Sequence, residues 1–129
     1  MQELLIKEPK IISVRQKQIL TQYLEKLDTY IGDLKAGTED RVLEINEFAE
    51  MLHIHPGHLS NTIKEVTGHS SCSFYEERLV TASKELLLQG NLSIKEIATR
   101  LTYDPSNFTK FFKRFVGMTP KQFRVENLK

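Results

Sequence analysis

Apolar positions along this chain recur at intervals of three and four residues, the period of an α-helix with one face turned inward. The first such run lies between Ser13 and Lys35, with Leu20, Tyr23, Leu24, Leu27, Tyr30, Ile31 and Leu34 on its apolar side. Ser13 with Gln16 three residues on reads as a capping box, and Gly37 ends the helix. Leu20, Leu27 and Leu34 are seven apart, so a coiled-coil seam is one reading; barely two heptads support it, and a lid over the following helices is favoured. A polar connection, Ala36 to Leu43, follows. Helices are then expected from Ile45 to Leu52 and from Pro56 to Thr67, with a turn at His53 to His55, Leu59, Ile63 and Val66 facing inward, and Gly68 as the stop.

Ser70 to Gln89 is the next helix, with Tyr75, Leu79, Ala82 and Leu86 as its seam and Gly90 and Asn91 closing it. Ser93 and Glu96 read as a second capping box, opening a two-turn helix whose one apolar face is marked by Ile94, Ile97, Ala98 and Leu101. Asp104 then caps a helix whose first residue is Pro105 and whose stripe, Phe108, Phe111, Phe112 and Phe115, requires burial. Only Thr102 and Tyr103 separate these helices from each other, so they must cross, as in a helix-turn-helix. Thr119, Pro120 and Gln122 start a closing helix expected to bury Phe123 and Leu128, while Arg124 is either a phosphate contact or, preferably, a tie holding that helix down.

Two of these stretches are copies of one another. Shifted by 49 positions, Ile45–Phe74 falls on Ile94–Phe123 without a gap. Identities fall at Ile45/Ile94, Glu47/Glu96, Ala49/Ala98, Leu52/Leu101, Pro56/Pro105, Lys64/Lys113, Gly68/Gly117 and Phe74/Phe123, against roughly two expected by chance at average residue usage. The sequence therefore predicts an all-α protein: two helix-turn-helix subdomains joined by a linker helix, with an amphipathic helix at the N-terminal side. Residues 1–69 would hold the leader, the long helix and the first unit, 70–90 the linker, and 91–129 the second unit and closing helix. A linker of about 20 residues spans roughly 30 Å, close to one turn of B-DNA, the separation at which two helices meet successive major grooves on one face.

The faces turned away from the core carry the chemistry. On the second copy they are Ser106, Thr109, Lys110 and Lys113, flanked by Asn107 and Arg114; these are amide, hydroxyl and cationic groups, which suit base-edge acceptors and phosphates. On the first copy they are Gly57, Ser60, Asn61 and Lys64, with His58 beside them, a smaller and less cationic surface suited to selectivity more than attraction. The net charge of +1 hides an asymmetry. From Asn91 to Lys129 the chain is about +5, and the remainder about −4, so attraction to phosphate is concentrated in the second copy.

Other classes find less support. No apolar run approaches a membrane span, and MQELLIKEPK has acids where a secretion signal is basic and then apolar, so a cytoplasmic location without membrane contact is expected. Met1 to Ile12 is a leader without clear periodicity or assigned function. His53, His55 and His58 resemble a metal site superficially, but Pro56 divides them and no cysteine or carboxylate completes a familiar spacing; with His69 they read as turn and surface histidines. Cys72, the single cysteine, reads as a small buried thiol. No catalytic, metal or cofactor constellation stands out.

RLVTASKELL and LSIKEIATRLTYDPSNFTKFFKRFVGMTPKQFR resemble the AraC/XylS-type DNA-binding domain of bacterial transcription regulators, and Ile45 to Leu79 resembles its first half; the likeness covers Leu43 to Arg124. The resemblance implies a tandem reader of promoter DNA, commonly an activator that also touches RNA polymerase. It implies reading helices at Pro56–Thr67 and Pro105–Val116, joined by the Ser70–Gln89 rod. The chain departs from the pattern at Thr102, where glycine is usual, in a segment to Phe108 one residue shorter than usual, and at Asn61, where an arginine is frequent. Double-stranded DNA is the expected partner, bound by a monomer at an asymmetric site, with RNA polymerase as a second candidate. Either a stand-alone regulator or the C-terminal piece of a longer one fits. The competing reading is a protein-interaction module of a longer regulator in which DNA contact is secondary.

Overall fold

The computed structural model describes residues 11–128, so the leader up to residue 10 lies outside the described residues. Among those residues the chain forms helices α1 (Val14–Ala36), α2 (Ile45–Met51), α3 (Pro56–Thr67), α4 (Ser71–Gln89), α5 (Ile94–Arg100), α6 (Pro105–Val116) and α7 (Pro120–Asn127), with no strand. None is long and apolar enough to cross a membrane.

Local signals place the helix starts. The reciprocal capping boxes expected at Ser13/Gln16, Ser93/Glu96 and Thr119/Gln122 all form, each satisfying backbone donors that a helix start leaves unpaired. Gly37 adopts a left-handed φ of 80°, and its N–H donates to the Leu34 carbonyl as α1 ends.

α1 packs along α3 and α4. Ile19, Tyr23, Leu27, Tyr30, Ile31 and Leu34 supply its buried face, whereas Leu20 and Leu24 are only half-buried. Leu27 and Leu34 are 0% exposed inside the chain's own core, which removes the coiled-coil seam and leaves the lid. Tyr23 and Tyr30 meet Phe48 of α2 edge-on, at centroid distances of 5.5 and 5.8 Å. The Tyr30 hydroxyl donates to the Arg41 carbonyl at 2.7 Å and accepts from the Leu43 N–H at 3.2 Å, so one aromatic residue fixes the connection between α1 and α2.

α1 and α4 lie side by side, tied by Arg78 to Asp28 at 2.6 Å and by Lys35 to Glu85. The core is continuous from Ile19 through Leu59, Ile63, Leu79 and Leu86 to Phe108 and Phe112. Burying each phenylalanine this completely contributes roughly 1.5–3 kcal/mol before the opposing entropy.

Several expectations about burial are corrected. Phe115 is 42% exposed, because α6 ends one residue later at Val116 and the stripe runs past the body it packs on; half-buried Val116 covers the edge instead. Tyr75 and Val66 are half-buried, and Ser83 and Leu87 take the place next to Leu79 and Leu86 in the seam of α4. In α7 Phe123 is half-buried against Phe112, but Leu128 is 50% exposed at the helix end. Cys72 is exposed, in the first turn of α4, rather than buried. Its thiol is pushed up by partial desolvation and by neighbouring Glu76, which disfavours the reactive thiolate.

Candidate nucleic-acid interface

The two helix-turn-helix units share their backbone geometry residue for residue. In the first, the His53 N–H donates to the Glu50 carbonyl and the Ile54 N–H to the Ala49 carbonyl, both at 3.1 Å. In the second, the Thr102 N–H donates to the Thr99 carbonyl at 3.0 Å and the Tyr103 N–H to the Ala98 carbonyl at 2.8 Å. Both are Schellman closures of the first helix, pivoting on a residue with left-handed φ, 58° at His53 and 69° at Thr102. The absence of glycine at Thr102 therefore leaves the turn's geometry intact and stores strain in it, since a β-branched residue rarely adopts such a φ.

Each second helix then starts on a cap at the matched position. His55 Nδ1 accepts from the Gly57 N–H at 2.9 Å. Asp104 Oδ2 accepts from the Ser106 N–H at 3.1 Å and the Asn107 N–H at 3.4 Å. The Ser106 hydroxyl bond and the Asn107 and Ser106 N–H groups hold the Asp104 carboxyl below its usual range. Gly57 lies on the outward side as expected, and a Cβ there would stand 3.1 Å from His55 Nδ1, a tight contact with the capping ring.

On α6 the apolar face is committed: Phe108 and Phe112 are fully buried, and Phe111 stacks on Tyr103 at 5.0 Å. The opposite side presents Ser106, Asn107, Lys110, Lys113 and Arg114 as exposed residues, with Thr109 half-buried. Two of these donors are spent within the chain. The Ser106 hydroxyl donates to Asp104 at 2.7 Å, and the Thr109 hydroxyl donates to the Pro105 carbonyl at 3.2 Å. Outward donation thus falls to Asn107, Lys110, Lys113 and Arg114, and Arg114 leans over the Phe115 ring at 5.0 Å. On α3, Gly57, His58, Asn61 and Lys64 are exposed and Ser60 is half-buried, like Thr109 at the matched position. Glu65 accepts from Gln16 Nε2 of α1 at 2.9 Å, seating α3 against the lid.

Three of the four histidines have structural places: His53 at the turn's pivot, His55 at the cap, and His69 edge-on to Phe74 at 6.3 Å. Among the described residues no three His, Cys, Asp or Glu side chains converge as a metal site.

Residues 48–126 match a family model described as a helix-turn-helix domain. The chain belongs to the AraC-type helix-turn-helix family. AraC-type domains are DNA-binding modules of transcription regulators rather than enzymes. The HTH-type transcriptional regulator YfiF of Bacillus subtilis is 34% identical over 82 residues, which are 64% of this chain and 26% of YfiF, so the chain spans about a quarter of that relative. The C-terminal domain of AraT, a response regulator from Geobacillus stearothermophilus, has the same fold, with a TM-score of 0.74 at 27% identity over 92% of this chain and 89% of that one. The DNA-binding domain of AdpA, solved with a target DNA, shares the fold at a TM-score of 0.64 and 17% identity, over 88% of this chain and 93% of that one.

Sequence reasoning missed two residues that hold this AraC-type domain together. Arg100, at the end of α5, donates from Nη1 to the Lys35 carbonyl at 3.1 Å, 65 residues away. Gln16, recognised only as a capping residue, also binds Glu65. Neither has a local signature; for Arg100 the one available hint is that its counterpart in the first copy is Met51. Arg124 has the structural place favoured for it, donating to the Leu87 carbonyl at 2.9 Å and the Leu92 carbonyl at 2.7 Å.

Proposed function

We propose that the chain is a sequence-specific, double-stranded DNA-binding transcription regulator, acting in the cytoplasm as an activator and binding as a monomer. It lays α3 and α6 into two successive major grooves of an asymmetric promoter site. The carrying observation is the outward face of α6, where Lys110, Lys113 and Arg114 stand exposed, with no ion pair recorded for them among the described residues, on a helix whose other side is locked into the core. Cations on a helix held this rigidly give phosphate attraction and a fixed register together. The 19 residues of α4 give a linker of about 28 Å, near one duplex turn.

Within this reading Lys110 favours a guanine and Asn61 an adenine, each discriminating by about 1–3 kcal/mol. Lys113 and Arg114 contact phosphates, and Gly57, His58, Ser60, Lys64, Ser106, Asn107 and Thr109 complete the two surfaces. Bending the duplex so that both helices seat costs about 1–6 kcal/mol of contact energy. RNA polymerase is the second partner the reading implies.

A protein-interaction module is favoured by one observation: α2 and its cap expose Glu44 and Glu50, with Glu47 half-buried in the capping box, against the single cation Lys64 on α3. Gel shift of a promoter pool against titrated salt separates the two. Sequence-preferring binding with a steep salt slope supports DNA reading, and weak, sequence-indifferent binding supports the module.

A further inference from the structure

We infer that Arg100 and Arg124 fix the spacing between the two reading helices and so make the chain selective for the separation of its half-sites; the inference rests on the two-groove reading above. The α4–α5 corner contains Gly90 in a left-handed conformation, φ 77°, followed by Asn91 and Leu92. A left-handed glycine lets the chain turn sharply at this corner, beside which α6 and α7 also pack on α4. Arg124 closes the corner directly, and Arg100 ties the second unit to α1.

Arg124 comes from α7 and bridges the corner. Its Nε binds the Leu87 carbonyl before Gly90 and its Nη2 binds the Leu92 carbonyl after it, so any opening of the corner breaks at least one charge-assisted bond. Arg100 acts at a second point, off the linker altogether. It reaches from α5 to the last turn of α1, where helix carbonyls lack intrahelical partners and the helix dipole favours a cation. Its guanidinium lies against Gly37 so closely that a Cβ there would be 3.3 Å from Cζ.

α1 in turn belongs to the first unit, through its packing on α3 and the Gln16–Glu65 bond, and runs tied to α4 by Arg78–Asp28 and Lys35–Glu85. Besides its apolar packing on α4, the second unit is therefore tied to a double strut by two arginine contacts, which are directional where the packing is not. The corresponding residues of the first copy are Met51 and Tyr75, so neither arginine is part of what makes a helix-turn-helix fold. Both are positioning residues, and neither lies on an outward reading face.

The test uses the site obtained by selecting bound duplexes from a random pool. Kd is measured on that site and on versions with one base pair added or removed between the half-sites, which rotates one half by about 35° and shifts it by about 3.4 Å. The wild-type chain is expected to lose about tenfold or more in affinity on either altered site, equivalent to about 1.4 kcal/mol. Arg100→Met, which keeps the stem and drops the bond, is expected to lose less than about threefold, with its circular dichroism unchanged. Arg100→Lys, the milder change, gives an intermediate ratio and serves if the methionine variant does not fold. Equal strictness in a folded variant and in wild type overturns the inference and leaves two-groove reading standing. A wild-type chain indifferent to spacing overturns the two-groove reading and the inference with it.

Discussion

His53 and Thr102 stand 49 positions apart in the sequence and hold the same left-handed backbone, φ 58° and 69°, at the same step of the two turns. The repeat is thus conserved down to a strained torsion, which each copy meets with a different and ill-suited side chain.

Relieving that strain is expected to stabilise the fold. For an L-residue the left-handed region costs roughly 1–2 kcal/mol, and glycine loses roughly 0.5–1 kcal/mol more chain entropy on folding. Thr102→Gly is therefore expected to stabilise by about 0.5–1 kcal/mol, and His53→Gly by less, since β-branching worsens the threonine's position. Urea unfolding checks this through an increased midpoint at unchanged slope.

The caps at the start of α3 and α6 differ in strength. Asp104 accepts two backbone N–H groups and places a negative charge at a helix N-terminus, whereas His55 accepts one through a ring nitrogen. His55→Asp transplants the better cap and is expected to raise stability by about 0.5–1 kcal/mol. A lower thermal midpoint would show that the imidazole serves the turn in some other way.

Acid is expected to weaken the fold through identifiable carboxylates. Glu96 is held below its usual range by the Ser93 backbone N–H and then its hydroxyl, Asp104 by the contacts named above, and Glu39 is lowered to about 2 by the Arg41 side chain and backbone. Folded values below the unfolded ones mean that the stability these groups add is complete above about pH 4–5, and is lost as the pH falls through the folded values. Asp104→Asn keeps the cap acceptor without the charge, so its melting temperature should fall less than that of wild type between pH 6 and pH 3.

The attraction to DNA is expected to be lopsided. Lys113→Ala on α6 should weaken binding to specific and unrelated duplexes alike and reduce the salt slope by about one. Lys110→Ala should instead relax discrimination at one base pair by about 1–3 kcal/mol. If Lys110→Ala lowered affinity equally for every sequence, its base-reading role would be wrong.

Much of this was legible in the residue order because the determinants are local. Capping boxes at Ser13, Ser93 and Thr119, the Asp104–Pro105 start and the phenylalanine spacing each act within a turn or two, so they identify helix ends and faces on their own. The errors lie where a helix outruns its partner. Phe115 follows the apolar period but sits past the packed body, Leu128 is the C-cap beyond the last residue of α7, and Cys72 is small enough to fit either side of a surface. Arg100 was illegible for a different reason: its acceptor is a backbone carbonyl 65 residues away, and a carbonyl leaves no trace in the residue code. The spent hydroxyls of Ser106 and Thr109 were equally hidden, since a hydroxyl reads as a donor until its own backbone claims it.

Hydroxyl-radical footprinting of the full chain on its selected duplex tests the central claim most directly. Two protected patches on one face, centred about one helical turn or 10–10.5 base pairs apart and lost together as salt rises, are the predicted result. A single patch under saturating protein, unchanged when α3 is altered at Asn61 and Lys64, would contradict it.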